Sequence, residues 1–237
     1  PVKALDGYIS KKFTLYKHQT VLEKLEFTAA LRKISPAVYR ERTRAILGFV
    51  GFERDPNTLV RDLPGGEKQQ VSLAAAILPD PAVVFLDEPT AGVTPASRAR
   101  FWALIRRLSS QGKTVFVTTH YMDEAEQCGR IVLMRSGKVI ALDTPEGLKR
   151  SAFPESMVEI TFPHTMSNDQ KTSCLDRIRD TGGLTEIKPH GMRYHALVKD
   201  PSAWERSLSE RSKEFTARSI PPSLEDVFIR LVESRAS

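Results

Sequence analysis

The apolar positions change their spacing along the chain, and that change divides it. From about Gln19 to Val50 they recur as on helices: Leu22, Leu25, Thr28 and Ala29 fall on one stripe, and Pro36 breaks the run before a second helix from Ala37. From Ala82 the texture becomes short apolar strands alternating with helices. AVVFLD reads as a strand, Pro95 to Ser110 as a helix and TVFVTTH as a strand. Within that helix Phe101, Leu104, Ile105 and Leu108 mark one buried face, while Arg98, Arg100, Arg106 and Arg107 take the others. Strands alternating with helices imply a parallel sheet with helices packed on it. IVLMRSGKVIAL reads as two strands joined at Ser136-Gly137, an antiparallel hairpin at the sheet's side. Beyond Phe153 and Pro154 come a strand (Met157 to Phe162), a helix (about Asn168 to Asp180), a strand pair around Gly191 and two further helices. The expected organisation is a helical region over 1–81, an α/β core over 82–152 and a small α+β appendage over 153–237.

Composition narrows the class without changing this picture. Hydrophobic residues at 41% and charged residues at 27% are ordinary globular values. The longest apolar runs, such as Ala82 to Leu86, are too short to span a bilayer. Cys128 and Cys174 lack metal-ligand spacing, and no apolar signal segment opens the chain, so a reducing cytoplasmic setting fits best. The formal charge of +6 is spread along the chain and reads as a solvated basic surface.

Candidate chemistry concentrates in the first half. Asp87 and Glu88 close an apolar strand, and open α/β sheets bind ligands at the carboxyl ends of their strands. In nucleotide hydrolases the first such acid holds magnesium and the second orients or deprotonates the attacking water. An acid in this place also serves as a plain cap for the following turn. Upstream, LPGGEKQQV pairs Gly65 with Gly66 ahead of a helix whose Val71, Ala74, Ala75 and Leu78 point inward. Adjacent glycines let backbone approach a ligand, and a helix start attracts phosphate; a turn before a helix has the same look. His120 ends TVFVTTH, so its imidazole can reach the edge that Asp87 occupies, or play a structural part.

Together GYISKKF, LPGGEKQQV, VVFLDEPTAGVTP and VTTHYMDEAE resemble, in order and spacing, the Q-loop, signature, Walker B with D-loop, and H-loop motifs of ATP-binding-cassette (ABC) proteins, over residues from about 7 to 150. The tail PPSLEDVFIRLVES is similar to the C-terminal appendage on ATPases of multidrug and other ABC-2 type exporters. The resemblance implies a P-loop NTPase-like α/β core, here incomplete, with a helical subdomain and the appendage. It also implies ATP and Mg2+ as cofactors and a second cassette as partner, in a homo- or heterodimer. A transmembrane permease subunit would be driven by closure and hydrolysis, with the chain peripheral on the inner face of the membrane. No nucleic-acid partner is expected. Carried over by position, Asp87 contacts the metal, Glu88 polarises the water and His120 holds the γ-phosphate. The nucleotide-facing set is Lys11, Pro64, Gly65, Gly66, Glu67 and Thr94.

Departures from the family pattern bear on that set. Lys11 stands where the Q-loop has glutamine, Pro64 where the signature has serine and Thr94 where the D-loop has aspartate. Proline suits a first helical turn, and Thr94 can cap the helix opened by Pro95, so the fold survives these changes. No G-x-x-x-x-G-K-[ST] occurs in the sequence. Gly112-Lys113-Thr114 is a turn, since position 107 is Arg107 and the order runs helix to strand. The expectation is that a segment carrying a strand, the phosphate-binding loop and its helix precedes Pro1 in an active protein, and that this chain alone is inactive. Two functions stay open: an ATPase subunit powering export, and a non-hydrolysing cassette that lends its signature face to a partner ATPase. Phe13, Leu15 and Tyr16 read either as a docking patch for the membrane subunit or as subdomain core.

Overall fold

The computed structural model describes residues 6–10, 18–208 and 214–233. Lys11, Phe13, Leu15 and Tyr16 lie outside the described residues. The chain divides into two compact units, Pro1–His120 and Tyr121–Ser237.

The first unit contains β1 (Asp6–Ile9), α1 (Val21–Leu31), α2 (Pro36–Val50), α3 (Gly65–Ile77), β2 (Val83–Asp87), α4 (Pro95–Ser110) and β3 (Thr114–Thr118). A capping box starts α1: Thr20 N–H donates to Glu23 Oε2 at 2.8 Å and Glu23 N–H to Thr20 Oγ1 at 3.1 Å. Its buried stripe is Val21, Leu25 and Ala29, with Leu22 and Thr28 half-buried on its flanks. Pro36 occupies the first turn of α2, and Gly51 at φ 69° ends that helix in the left-handed region. In α3 the buried residues run all round the helix, from Gln69 and Val71 to Ile77, because it sits between neighbours. A side chain at Gly7 would put its Cβ 2.5 Å from Ala76 O, so a glycine is what lets β1 approach α3.

The three strands are parallel in the order β1-β2-β3, with Gly7 opposite Val84, Tyr8 opposite Phe85, Phe85 opposite Phe116 and Asp87 opposite Thr118. Period-two alternation puts Val84 and Leu86 on the helix-covered face, where both are fully buried. The other face carries Tyr8, Phe85 and Phe116, which remain 62%, 40% and 56% exposed. Phe85 and Phe116 stack on that face with ring centroids 5.2 Å apart. Asp87 and Thr118 stand on it too, at its carboxyl end.

The second unit contains α5 (Met122–Ala125), β4 (Ile131–Arg135), β5 (Lys138–Asp143), α6 (Pro145–Ala152), β6 (Ser156–Thr161), α7 (Asn168–Arg179), β7 (Leu184–His190), β8 (Arg193–Val198), α8 (Pro201–Leu208), β9 (Thr216–Ile220) and α9 (Leu224–Glu233). The β4-β5 hairpin turns at Ser136 (φ 49°) and Gly137 (φ 74°), the paired positive φ of a type I′ turn. It forms its own two-stranded sheet and shares a core with Leu148 of α6 and with Leu224 and Val227 of α9. The remaining strands form an antiparallel sheet in the order β7-β8-β6-β9. Val158, Ile160, Ala196 and Val198 pack from one face of it against Cys174, Leu175 and Ile178 of α7 and Trp204 of α8. On the other face Glu159 receives Arg193 at 2.7 Å and Arg218 at 3.3 Å. Cys128 and Cys174 are free thiols. Among the described residues no helix is long and apolar enough to cross a membrane.

Candidate nucleotide site

The carboxyl ends of β2 and β3 bring the sequence-derived acids and histidine together. Parallel pairing of β2 with β3 sets Asp87 beside Thr118, whose hydroxyl donates to Asp87 Oδ1 at 2.6 Å. Thr118 also fixes the next residue, because Glu88 N–H donates to Thr118 O at 3.0 Å and lies 3.1 Å from Thr118 Oγ1. Glu88 takes φ 43°, left-handed backbone that is uncommon outside glycine. This bend turns the side chain out of the strand alternation. Glu88 Oε2 then lies 3.3 Å from His120 Nδ1, two residues beyond the end of β3. Asp87, Glu88 and His120 therefore share one strand edge.

Behind this edge Gln69 of α3 donates its amide to Pro89 O and ties the loop after Glu88 to the helix. A small pocket beneath is lined by Ser10, Gln69, Ser72, Glu88, Pro89 and Phe101, among others. Gln69 Oε1 is buried there without a hydrogen-bond partner. At the strand edge itself the carboxylate oxygens of Asp87 and Glu88 are donors that suit a hard cation such as Mg2+ better than a soft one.

At the other candidate region Pro64 precedes α3 with no side-chain cap hydrogen bond, and the first bond of the turn runs from Lys68 N–H to Pro64 O at 3.0 Å. The amides of Gly65, Gly66 and Glu67 accordingly start the helix ahead of its internal ladder, where an anion is favoured. The two glycines differ. A Cβ on Gly65 would meet only Val93 Cγ1, at 3.9 Å, whereas one on Gly66 would lie 2.6 Å from Ser97 Oγ and 3.1 Å from Ser97 Cβ. Gly66 is thus required by packing within the chain. Glu67 is held by Arg54 Nε at 2.6 Å. Thr94 caps α4, accepting from Ser97 N–H at 3.3 Å, and its hydroxyl lies 3.1 Å from Ser97 Oγ. Ser97 links the start of α4 to the start of α3. Lys11 lies outside the described residues.

Sequence reasoning missed Thr118, Gln69, Arg54 and Ser97. A signal existed for the first: Thr118 alternates onto the face that carries Asp87. For the others the partners are distant in the chain, and no local pattern marks them.

The family model described as ABC transporter matches residues 3–91. The Nod factor export ATP-binding protein I of Rhizobium leguminosarum bv. viciae is 33% identical over 230 residues, covering 97% of this chain and 71% of the relative. The probable multidrug ABC transporter ATP-binding protein YbhF of Escherichia coli (strain K12) is 40% identical over 156 residues. That match takes in 66% of this chain, and the chain spans 27% of YbhF's length. Among solved structures, an ATP binding subunit of an ABC transporter superposes with TM-score 0.56 at 26% identity, covering 63% of this chain and 62% of that one. The cbiO1 protein from Clostridium perfringens, part of the ABC transporter complex cbiONQ, gives TM-score 0.57 at 25% identity, over 62% of this chain and 60% of that one. On these matches, and on the strand edge that gathers Asp87, Glu88 and His120, the chain belongs to the ABC transporter family of ATP-binding proteins.

Proposed function

We propose that the chain is part of the ATPase subunit of an export system, coupling ATP binding and hydrolysis to export through a separate membrane subunit. The observation that carries this reading is the meeting of Asp87, Glu88 and His120 at adjacent parallel strand ends, with Glu88 and His120 3.3 Å apart. The names of the relatives, multidrug and Nod factor export proteins, support export as the task. The working assembly is two cassettes with a membrane subunit, at the inner face of the cell membrane.

In that reading Asp87 holds Mg2+, directly or through water, with its carboxylate aligned by Thr118. Mg2+ held there would supply charge neutralisation at the phosphates. Glu88 orients the attacking water and accepts its proton, and the left-handed bend at Glu88 aims the carboxylate past the strand end. His120, its Nδ1 3.3 Å from Glu88 Oε2, steadies the γ-phosphate. Gly65, Gly66 and the helix start behind them face the nucleotide of the partner cassette.

The test is ATP hydrolysis by the protein with a phosphate-binding loop ahead of Pro1, in its assembly. A positioned base contributes about 10²–10⁴ in rate, so Glu88→Gln should lower turnover by that factor while nucleotide binding persists. An unchanged rate overturns the assignment of Glu88. A second reading, a cassette that lends only its signature face, draws on Lys11, Pro64 and Thr94, which stand in place of the family's glutamine, serine and aspartate. It wins if that wild-type assembly binds ATP without turnover. Calorimetric titration of the 237-residue chain itself should show affinity weaker than micromolar. Phosphate-loop hydrogen bonds supply about 1.5–3 kcal/mol each, against about 8 kcal/mol for a micromolar ligand.

A further inference from the structure

The second unit carries a cluster that the nucleotide chemistry does not use. His190 ends β7 and His195 lies on β8, joined through the Gly191 turn at φ 59°. The register pairs His190 with Arg193 and Lys188 with His195, so the two histidines are diagonal neighbours on one face. Their rings stack at 4.0 Å between centroids with 11° between planes. Asp226 approaches from the first turn of α9, its Oδ1 3.8 Å from His195 Nδ1. The ligand atoms of all three residues lie within 4.8 Å of one another.

Two features go beyond proximity. Asp226 is oriented by Ser223, which donates to its Oδ2 from N–H at 2.8 Å and from Oγ at 2.6 Å, leaving Oδ1 on the histidine side. Hydrogen bonding of a ligand carboxylate by an outer partner is how metal sites fix their donors. Part of the positive charge beside the cluster is offset, since Glu159 engages both Arg193 and Arg218.

We propose that His190, His195 and Asp226 form a three-ligand site for a divalent transition metal ion of the zinc class. Two imidazoles and one carboxylate suit such an ion and do not suit Mg2+ or Ca2+. Zinc–ligand distances of about 2.0–2.1 Å put tetrahedral donor atoms roughly 3.3 Å apart, and imidazole lone pairs lie in the ring plane, so closure onto the ion needs shifts on the order of an ångström and rotation of one histidine out of the stack. The ion would clamp the β7-β8 hairpin to the start of α9. The three ligands line a groove together with Glu159, Met192, Arg193, Arg218, Ile220 and Pro221.

Zinc titration of the full chain by calorimetry is the experiment. The expected result is one saturable site whose affinity falls at least tenfold in His190→Ala, an exposed position whose loss leaves the fold intact. Ser223→Ala should lower affinity by about tenfold through misorientation of Asp226. Nitrogen-15 spectra of the histidine rings give an independent reading: zinc should shift His190 and His195 and leave His164 in place. Absence of a saturable site, affinity unaltered by His190→Ala, or ring shifts confined to other histidines would each overturn the site.

Discussion

The two sheets solve the same problem in opposite ways. In the antiparallel sheet of the second unit one face packs against α7 and α8, and the other ends in charge, with Glu159 set between Arg193 and Arg218. Met157 and Leu197 on that same face are buried, so charge tops it only in part. The parallel sheet of the first unit covers one face with helices and leaves Tyr8, Phe85 and Phe116 open on the other. Parallel sheets normally bury both faces, and their strands read as continuous apolar runs. The difference is written in the strands: Val83–Asp87 is apolar to its last residue, VVFLD, whereas Ser156–Thr161 interrupts its run with Glu159, SMVEIT. The lesson is that an uninterrupted run marks a face that calls for cover, wherever the cover comes from.

The strongest test of this contrast removes a large ring from each sheet. Trp204 is buried against the antiparallel sheet, and its indole N–H donates to Thr181 Oγ1 at 3.1 Å. Trp204→Ala should cost about 3–5 kcal/mol in denaturant unfolding. Phe116→Ser, on the open face, should change stability by only about 0.5 kcal/mol and reduce binding of an apolar fluorescent dye. If the two losses are equal, the open face is not open in solution.

A smaller effect is expected at the glycine pair. Gly66→Ala should destabilise by about 1–3 kcal/mol, because its Cβ meets Ser97, while Gly65→Ala should be tolerated in folding. Thermal melts of the two variants decide this, and equal melts would return Gly66 to a purely nucleotide-facing part.

The smallest effect belongs to the Asp80–Lys113 pair, which joins the segment before β2 to the start of β3. The Lys113 hydrogen bond holds the Asp80 carboxyl below its ordinary range. A depressed folded value means that the pair's contribution is present above about pH 4 and is lost as the pH falls through that value. Both the exposure of Asp80 and added salt screen it, so Asp80→Asn should cost under about 1 kcal/mol at neutral pH and nothing in acid. Asparagine tolerates the φ of 58° at this position, so the substitution isolates the charge.

Much of this was legible in the sequence, for identifiable reasons. Helix α4 was found at its full extent because Thr94, Pro95 and the Phe101 stripe mark its start and its face. Strands β2 and β3 announced themselves by apolar runs, and their adjacency is what unites Asp87, Glu88 and His120. Strand β9 escaped because TARSI lies at a sheet edge with its first four residues exposed, so no apolar alternation betrays it. Strand β1 escaped through its four-residue length and its glycine. The demand of Ser97 on Gly66 and the approach of Asp226 to His195 are tertiary facts, set by residues far apart in the chain, and no local pattern could carry them.

The left-handed bend at Glu88 has a consequence for how this position can change over time. Two filters act on it at once, one of chemistry and one of chirality. Branching at Cβ is disfavoured at φ 43°, which removes valine, isoleucine and threonine from the routes open to it. The easy steps are aspartate, asparagine, glutamine and glycine, which keep the bend and alter or erase the base. A lineage that gives up hydrolysis at this edge can therefore keep the same backbone path, and its loss of function would leave the fold without a scar.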